Sequence, residues 1–290
     1  MDRHAVGFVG LGTMGSPMAG HLATTGTPTW VWNRTPGKEA HAVSCGARVA
    51  ADLHEMASAC PIVCLCLGRT EDVAAIVHVL LGSMPEGGLL IDHSTISPSG
   101  ARKIHEQCAE KGIGFVDAPI TGGSMGAQNG TLTIFCGGAE SDFARAEPIL
   151  RAYGKRIAYV GGPGQGQMMK MANQIAVGGA LLGLCESLAF ANQAGLDLAT
   201  TRDLLSTGAA GSWAFENYGP KIISGDHSPG FSVKNQRKDF GYCLESAADA
   251  GMALPATELA DRLLAALTAA GREEEATTAL FDVLCQGVPT

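Results

Sequence analysis

The sequence predicts an α/β fold in two parts: a doubly wound, mostly parallel sheet over residues 1–162, then an all-helical domain over 163–290. Three observations carry this. Short β-branched runs alternate with amphipathic segments through the first half, the pattern of parallel strands covered by helices on both faces. A Gly-x-Gly-x-x-Gly falls between the first strand and the first helix. After Gly161-Gly162-Pro163-Gly164 the alternation stops, and only helical periodicities remain, broken at Gly195, Gly211, Gly219-Pro220 and Gly251.

Strands are expected near residues 5–9, 29–32, 62–67, 89–92, 114–117, 131–136 and 156–160, with helices near 14–25, 35–44, 71–80, 98–111 and 140–152. The segment 122–131 reads as a loop over the sheet. A long helix follows Gly164, and its residues 175–188 are almost wholly apolar and small, as in a helix buried on most sides.

Val6 to Val9 lead into Gly10-Leu11-Gly12-Thr13-Met14-Gly15. Gly10 permits the tight turn, Gly12 lets the backbone approach a pyrophosphate, and Gly15 lets the helix pack closely on the strand. The phosphate would sit on the helix N-terminus. This context, more than the spacing, makes the segment a dinucleotide loop and the domain a Rossmann fold. The second strand ends in Trp32-Asn33-Arg34-Thr35, with no carboxylate before Glu39 to hold a ribose hydroxyl. Arg34 suits a 2′-phosphate, and Asn33 and Thr35 can donate to it. NADP(H) is therefore expected, with NAD(H) as the alternative.

Two more strand ends carry chemistry. Asp92-His93-Ser94-Thr95 and Asp117-Ala118-Pro119-Ile120-Thr121-Gly122-Gly123 follow the predicted fourth and fifth strands, where open α/β sheets bind ligands. Ser94 is expected to face substrate and His93 to be a loop residue. Thr121, Gly122 and Gly123 offer a hydroxyl and backbone N–H groups to an anion such as a carboxylate. Lys170, Asn173 and Gln174 share one face at the start of the long helix. A partly desolvated lysine has a lowered pKa, which suits proton transfer. Alone, Lys170 is better explained by a lysine snorkelling from a helix end. The surrounding motifs favour the proton-transfer role.

Taken in order, residues 7–20, 92–95, 117–130, 164–174 and 231–240 resemble the β-hydroxyacid dehydrogenase family. That family includes 3-hydroxyisobutyrate dehydrogenases and the tartronate, glyoxylate and succinic semialdehyde reductases. The resemblance implies that Lys170 is catalytic and that Asn173 helps to hold substrate, with Gln174 beside it. It implies that Thr121, Gly122 and Gly123 grip the substrate carboxylate. Thr95 and Lys238 would contact the cofactor near the nicotinamide, and Leu67 and Gly68, at the end of the third predicted strand, would pass its ribose. The expected partner is a small aldehyde acid or hydroxy acid. Asn33-Arg34-Thr35 resembles the NADPH-using branch more than the NAD-dependent 3-hydroxyisobutyrate branch. Thr121 stands where serine is commoner, and Gln174 where many members carry asparagine.

Other readings fit less well. Imine reductases share the architecture but usually lack the lysine, as do non-catalytic, dehydrogenase-like interaction modules. Tyr218 and Lys221 miss the Tyr-x-x-x-Lys spacing of short-chain dehydrogenases. A formal net charge of -8 argues against nucleic acid. Nine cysteines without a Cys-x-x-Cys read as reduced and predict no metal site. The chain runs from Met1-Asp2-Arg3 into an apolar strand without distinct signal-peptide regions, and no uninterrupted apolar run reaches membrane length. The expectation is a cytoplasmic enzyme, a homodimer or homotetramer if the small-residue helix at 172–194 forms a subunit seam.

Overall fold

The strands of the first region are short, β-branched and buried on both faces. Val6, Phe8, Cys64, Leu89, Ile91 and Val116 pack into one hydrophobic cluster. Alternate residues Val9, Val63, Leu65, Leu90 and Phe115 pack into another. This two-sided burial, about 1.5–3 kcal/mol for each large side chain, holds the sheet between helical layers. The computed structural model describes residues 4–228 and 230–286; residues 1–3, on which the reading of the chain start rested, lie outside them.

In chain order the elements are β1 (Val6–Val9), α1 (Gly15–Thr24), β2 (Thr29–Trp32), α2 (Ala40–Ser44), β3 (Arg48–Val49), α3 (Leu53–Ala59), β4 (Ile62–Leu65) and α4 (Thr70–Leu81). There follow β5 (Leu89–Asp92), α5 (Pro98–Ala109), β6 (Gly114–Asp117), β7 (Ile120–Thr121), α6 (Gly123–Gln128), β8 (Leu132–Gly137), α7 (Glu140–Leu150) and β9 (Gly154–Gly161). The sheet order is β3-β2-β1-β4-β5-β6-β8-β7, with β9 paired to β8. Strands β1 to β6 pair in parallel, and β8 runs antiparallel to β6 and β7.

Register places the working ends side by side. Val9 lies opposite Trp32 and Leu65, Leu65 opposite Asp92, and Asp92 opposite Asp117. The segments after β1, β4, β5 and β6 therefore open along one edge, at the point where strand order reverses between β1 and β4.

Several elements correct the sequence expectations. β3, α3 and β7 were not anticipated, so the predicted third, fourth and fifth strands are β4, β5 and β6. The predicted helix at 35–44 is ordered only as the five-residue α2. The expected loop at 122–131 contains α6, whose C-terminal carbonyls at Ala127 and Gln128 meet His21 Nε2 of α1 at 3.1 and 2.9 Å.

Packing divides the chain into Met1–Lys170 and Met171–Thr290, so the division falls within α8 (Gln165–Gln193). The sequence boundary after residue 162 marks where the strands end. In the second unit α9 (Leu198–Ser206), α10 (Trp213–Asn217), α11 (Gly219–Ser224), α12 (Val233–Asp249), α13 (Pro255–Ala269) and α14 (Leu280–Gln286) follow. Among the described residues this unit has no strand, only one antiparallel bridge between Ser232 and Ala276. Leu181, Leu184 and Leu188 of α8 join Phe215, Val233, Phe240, Leu264 and Leu280 in its core. The side of α8 at Gly178 is filled by Phe240, whose ring would lie 2.4 Å from any added Cβ.

α8 is the longest helix among the described residues. Its 29 residues contain an 18-residue window of mean hydropathy 1.5, and it is the one helix among the described residues long and apolar enough to cross a membrane by length and composition, a test that the core helix of a soluble protein also passes. The expectation concerned uninterrupted apolar runs, and Glu186 and Asn192 do interrupt the apolar part of this helix.

Candidate active site

The dinucleotide loop is built from backbone. Gly10 has φ +94°, and a Cβ there would lie 2.3 Å from the Cys66 carbonyl oxygen. A Cβ on Gly15 would fall 1.9 Å from the Gly10 oxygen, so α1 starts hard against the turn. Gly12 has nothing within 4 Å of the corresponding position, and both Gly12 and Thr13 are exposed. An open glycine face before a helix N-terminus fits a pyrophosphate. Leu11 is buried, and Met14 is half-buried ahead of α1.

Asn33 departs from its expected role. Its Oδ1 accepts from Leu11 N at 2.8 Å, and its Nδ2 donates to the Thr35 carbonyl at 2.7 Å. The amide thus ties the glycine turn to the end of β2. Arg34 remains 84% exposed along its side chain, paired at 3.4 Å with Asp72 in the first turn of α4. An exposed pair of this kind contributes at most about 1 kcal/mol. The guanidinium is therefore free to exchange a carboxylate for a phosphate.

At the neighbouring strand ends burial is uneven. Leu67 and Thr95 are half-buried and Gly68 exposed. Ser94, expected to meet substrate, is instead buried: its Oγ accepts from Leu67 N at 2.8 Å, and its N–H donates to Asp92 Oδ1 at 3.0 Å. The hydroxyl fastens the end of β4 to the end of β5. Thr121 closes β7, and Gly122 and Gly123 follow at φ +128° and +65°, with Gly123 open on its Cα side. The turn thus places a hydroxyl and the N–H groups that open α6 next to one another in the chain, groups of the kind that bind a carboxylate.

Lys170 arrives beside this turn. It is 7% exposed, and its Nζ donates to the Ile120 carbonyl at 2.8 Å. A buried ammonium needs partners, and here one partner is the backbone immediately before Thr121.

The helix that delivers Lys170 is clamped. Asp117, fully buried at the end of β6, accepts from Gly164 N at 2.9 Å and Gln167 N at 2.8 Å. These are N–H groups at the helix N-terminus, which have no partner within the helix. Burial pushes the Asp117 carboxyl up to about 6, while backbone N–H groups pull it down. Gln167 was not anticipated either. It is fully buried, its Oε1 accepting from Ile96 N at 3.2 Å and its Nε2 donating to the Ser94 carbonyl at 2.8 Å. Its place in the Gly-Gln-Gly-Gln run, one turn before the lysine, was the available signal.

His93 does follow the end of β5 as a loop residue, but its side chain is buried in the core. Nδ1 lies 2.9 Å from the Ala118 carbonyl and Nε2 2.9 Å from the Tyr153 hydroxyl, with Phe8 stacked over the ring. The carbonyl can only accept, so Nδ1 carries the proton and Nε2 accepts from Tyr153. Burial lowers the His93 pKa to about 4.

In the second unit the polar residues form their own chain. Asn173 Nδ2 donates to Gln174 Oε1 at 2.9 Å, and Gln174 Nε2 donates to Asp239 Oδ2 at 2.6 Å. Asp239 Oδ1 pairs with Lys238 Nζ at 3.1 Å, and that ammonium lies 5.6 Å from the Tyr242 ring centroid.

Residues 5–161 match the family described as the NAD-binding domain of 6-phosphogluconate dehydrogenase. Residues 164–284 match the one described as NAD-binding of NADP-dependent 3-hydroxyisobutyrate dehydrogenase. The chain is 34% identical to the 2-hydroxy-3-oxopropionate reductase of Escherichia coli over 96% of both sequences. It is 33% identical to the 2-(hydroxymethyl)glutarate dehydrogenase of Eubacterium barkeri, over 96% of this chain and 94% of the other. The crystal structure of 3-hydroxyisobutyrate dehydrogenase from Salmonella typhimurium superposes with TM-score 0.91 at 28% identity, covering 97% of this chain and 99% of that one.

Proposed function

The chain belongs to the β-hydroxyacid dehydrogenase family of NAD(P)-dependent oxidoreductases, and on that premise we propose that it is an NADPH-dependent reductase of small aldehyde acids, reversible as a hydroxy acid dehydrogenase. The observation that carries the reading is the buried Lys170 ammonium, 2.8 Å from the Ile120 carbonyl and next to the Thr121–Gly122–Gly123 turn. A proton donor and a carboxylate-binding turn are thereby adjacent.

The bound nicotinamide supplies hydride chemistry. The chain supplies the rest. Thr121 and the N–H groups after it hold the substrate carboxylate, which fixes the position of the carbonyl group. Lys170 gives a proton to the carbonyl oxygen in reduction and takes it back in oxidation. Asn173, one turn along the same helix, orients the ammonium or the substrate hydroxyl. Glycines 10, 12 and 15 cradle the pyrophosphate, and Arg34 receives the 2′-phosphate.

Support for the aldehyde-acid class comes from the E. coli relative, a 2-hydroxy-3-oxopropionate reductase by name. Support for NADP comes from Arg34 and from the NADP-dependent family matched by the second unit. A cytoplasmic homo-oligomer completes the proposal.

Lys170→Ala is the direct test. Turnover should fall at least about 100-fold while NADPH affinity stays within a few-fold of native; near-native turnover would sink the assignment. Glyoxylate, the succinic, tartronate and methylmalonate semialdehydes and a cyclic imine, each with NADPH and NADH, resolve the substrate and cofactor. Activity confined to NADH would support the NAD-dependent 3-hydroxyisobutyrate reading, and activity confined to a cyclic imine would overturn the substrate class.

A further inference from the structure

Gln167 has no part in the chemistry just described, yet it holds together the segments that do. Its side chain reaches from the first turn of α8 to the main chain beyond β5 and grips one residue from both sides. Oε1 takes the N–H of Ile96 at 3.2 Å and Nε2 gives to the carbonyl of Ser94 at 2.8 Å. The residue between them is Thr95. Ser94 extends the connection, since its Oγ accepts from Leu67 N at 2.8 Å beyond β4. The main-chain N–H of Gln167 completes it, donating to Asp117 Oδ2 at 2.8 Å at the end of β6.

One residue thus joins the ends of β4, β5 and β6 to the helix turn that precedes Lys170. Only a side chain that ends in one donor and one acceptor serves at this position. Ser94 O requires a donor and Ile96 N–H an acceptor, and the two must lie at one side-chain terminus in the spacing of a neighbouring strand. A carboxylate offers acceptors only. A hydrocarbon leaves two buried backbone groups without partners.

We propose that Gln167 is a positioning residue that sets Thr95 and Lys170 in register, and through them the affinity for the nicotinamide cofactor and the rate of proton transfer. This rests on the reading of Lys170 as the proton donor. Its role is distinct from that of Asp117, which grips the helix N-terminus and does not touch the Ser94–Ile96 main chain.

The test is Gln167→Glu. A neutral carboxyl group keeps one acceptor and one donor and reproduces the amide contacts, whereas the ionised form sets a negative oxygen against the Ser94 carbonyl. Burial raises a carboxyl pKa, which brings the switch into an accessible pH range. NADPH affinity, measured by titration calorimetry between pH 5.5 and 8.5, should be within about threefold of native at the acid end and weaken roughly tenfold toward the alkaline end. kcat should fall over the same range, in a pH step additional to the one that Asp117, raised to about 6 and bonded to the Gln167 N–H, gives both proteins. Gln167→Leu should be impaired at every pH.

Thermal melts recorded at each pH separate this from a general loss of fold. If Gln167→Glu binds NADPH and turns over like the native protein at all pH values, the proposal is overturned. It is equally overturned if the variant merely melts lower with unchanged affinity and kcat in its folded fraction. Lys170→Ala run alongside distinguishes the two readings. Retained turnover there defeats the proton donor and leaves the Gln167 affinity step standing. Lost turnover there, with no affinity step in Gln167→Glu, defeats only the positioning role.

Discussion

The ends of β5 and β6 and the end of β2 meet the same ligand-binding edge of the sheet by opposite means. After β5 and β6, buried polar side chains grip main chain: Asp117 holds the start of α8, and Gln167 holds Ser94 and Ile96. After β2, Arg34 lies exposed and reaches a single carboxylate at 3.4 Å. The first arrangement costs desolvation and gives fixed geometry; the second costs little and can be exchanged. A proton donor must be placed to within a fraction of an ångström, and a phosphate contact need not be. The two ends should therefore respond differently to pH and to mutation.

The largest effect is expected in the rigid region, from His93. Its folded pKa of about 4 is below the ordinary value of 6.5, so the folded state resists the proton that the unfolded chain takes up. The associated stability is fully present above pH 6.5 and is lost as pH falls through 4, a change on the order of 3 kcal/mol. Asp117 works in the opposite sense. Raised to about 6, its contribution is fully present below its ordinary 3.8 and lost as pH rises through 6. Urea unfolding of native protein and of His93→Asn at each pH isolates the histidine. The difference between them should shrink steadily from pH 6.5 to 4; a constant difference would show that His93 does not titrate with folding.

Asp117→Asn should come next, at about 2 kcal/mol. The amide keeps one acceptor and places an N–H₂ against a backbone donor, leaving one buried N–H unmet at the start of α8. Because the helix carries Lys170, kcat should fall as well. A variant as stable and as active as native would mean that α8 is held by its packing alone.

The contrast also explains what the sequence made legible. The Rossmann order, the glycine turn and the Lys170 helix are readable because each depends on local spacing: strand runs, Gly10-x-Gly12-x-x-Gly15, and a lysine one turn into a helix. The short β3 and β7 have two residues each and no periodicity to detect. α3 did leave a signal, Asp52 three residues before Glu55, with Asp52 accepting from Glu55 N and Glu55 from Ala51 N. His93, Ser94 and Gln167 were misjudged or missed for a different reason. Their partners, main-chain groups and for His93 also the Tyr153 hydroxyl, lie 25 to 73 residues away, and side-chain identity does not reveal them. At a strand end, a polar residue facing a ligand and one fastening the backbone look alike in sequence.

The smallest and most selective effects belong to the open region. Arg34→Ala should weaken NADPH about tenfold and leave NADH nearly unchanged, since the 2′-phosphate is the sole difference between the two ligands. Asp72→Ala should do the reverse on a smaller scale. It removes the carboxylate that competes for the guanidinium, and an exposed pair of at most about 1 kcal/mol corresponds to a gain of no more than roughly fivefold in NADPH affinity. Neither change should shift the melting temperature appreciably, because both side chains lie at the surface. Fluorescence titration with each nucleotide measures all four affinities. Equal weakening of NADH and NADPH in Arg34→Ala would place the arginine in the architecture of the β2 end rather than at the phosphate, and the exchangeable region would then be as fixed as the ends of β5 and β6.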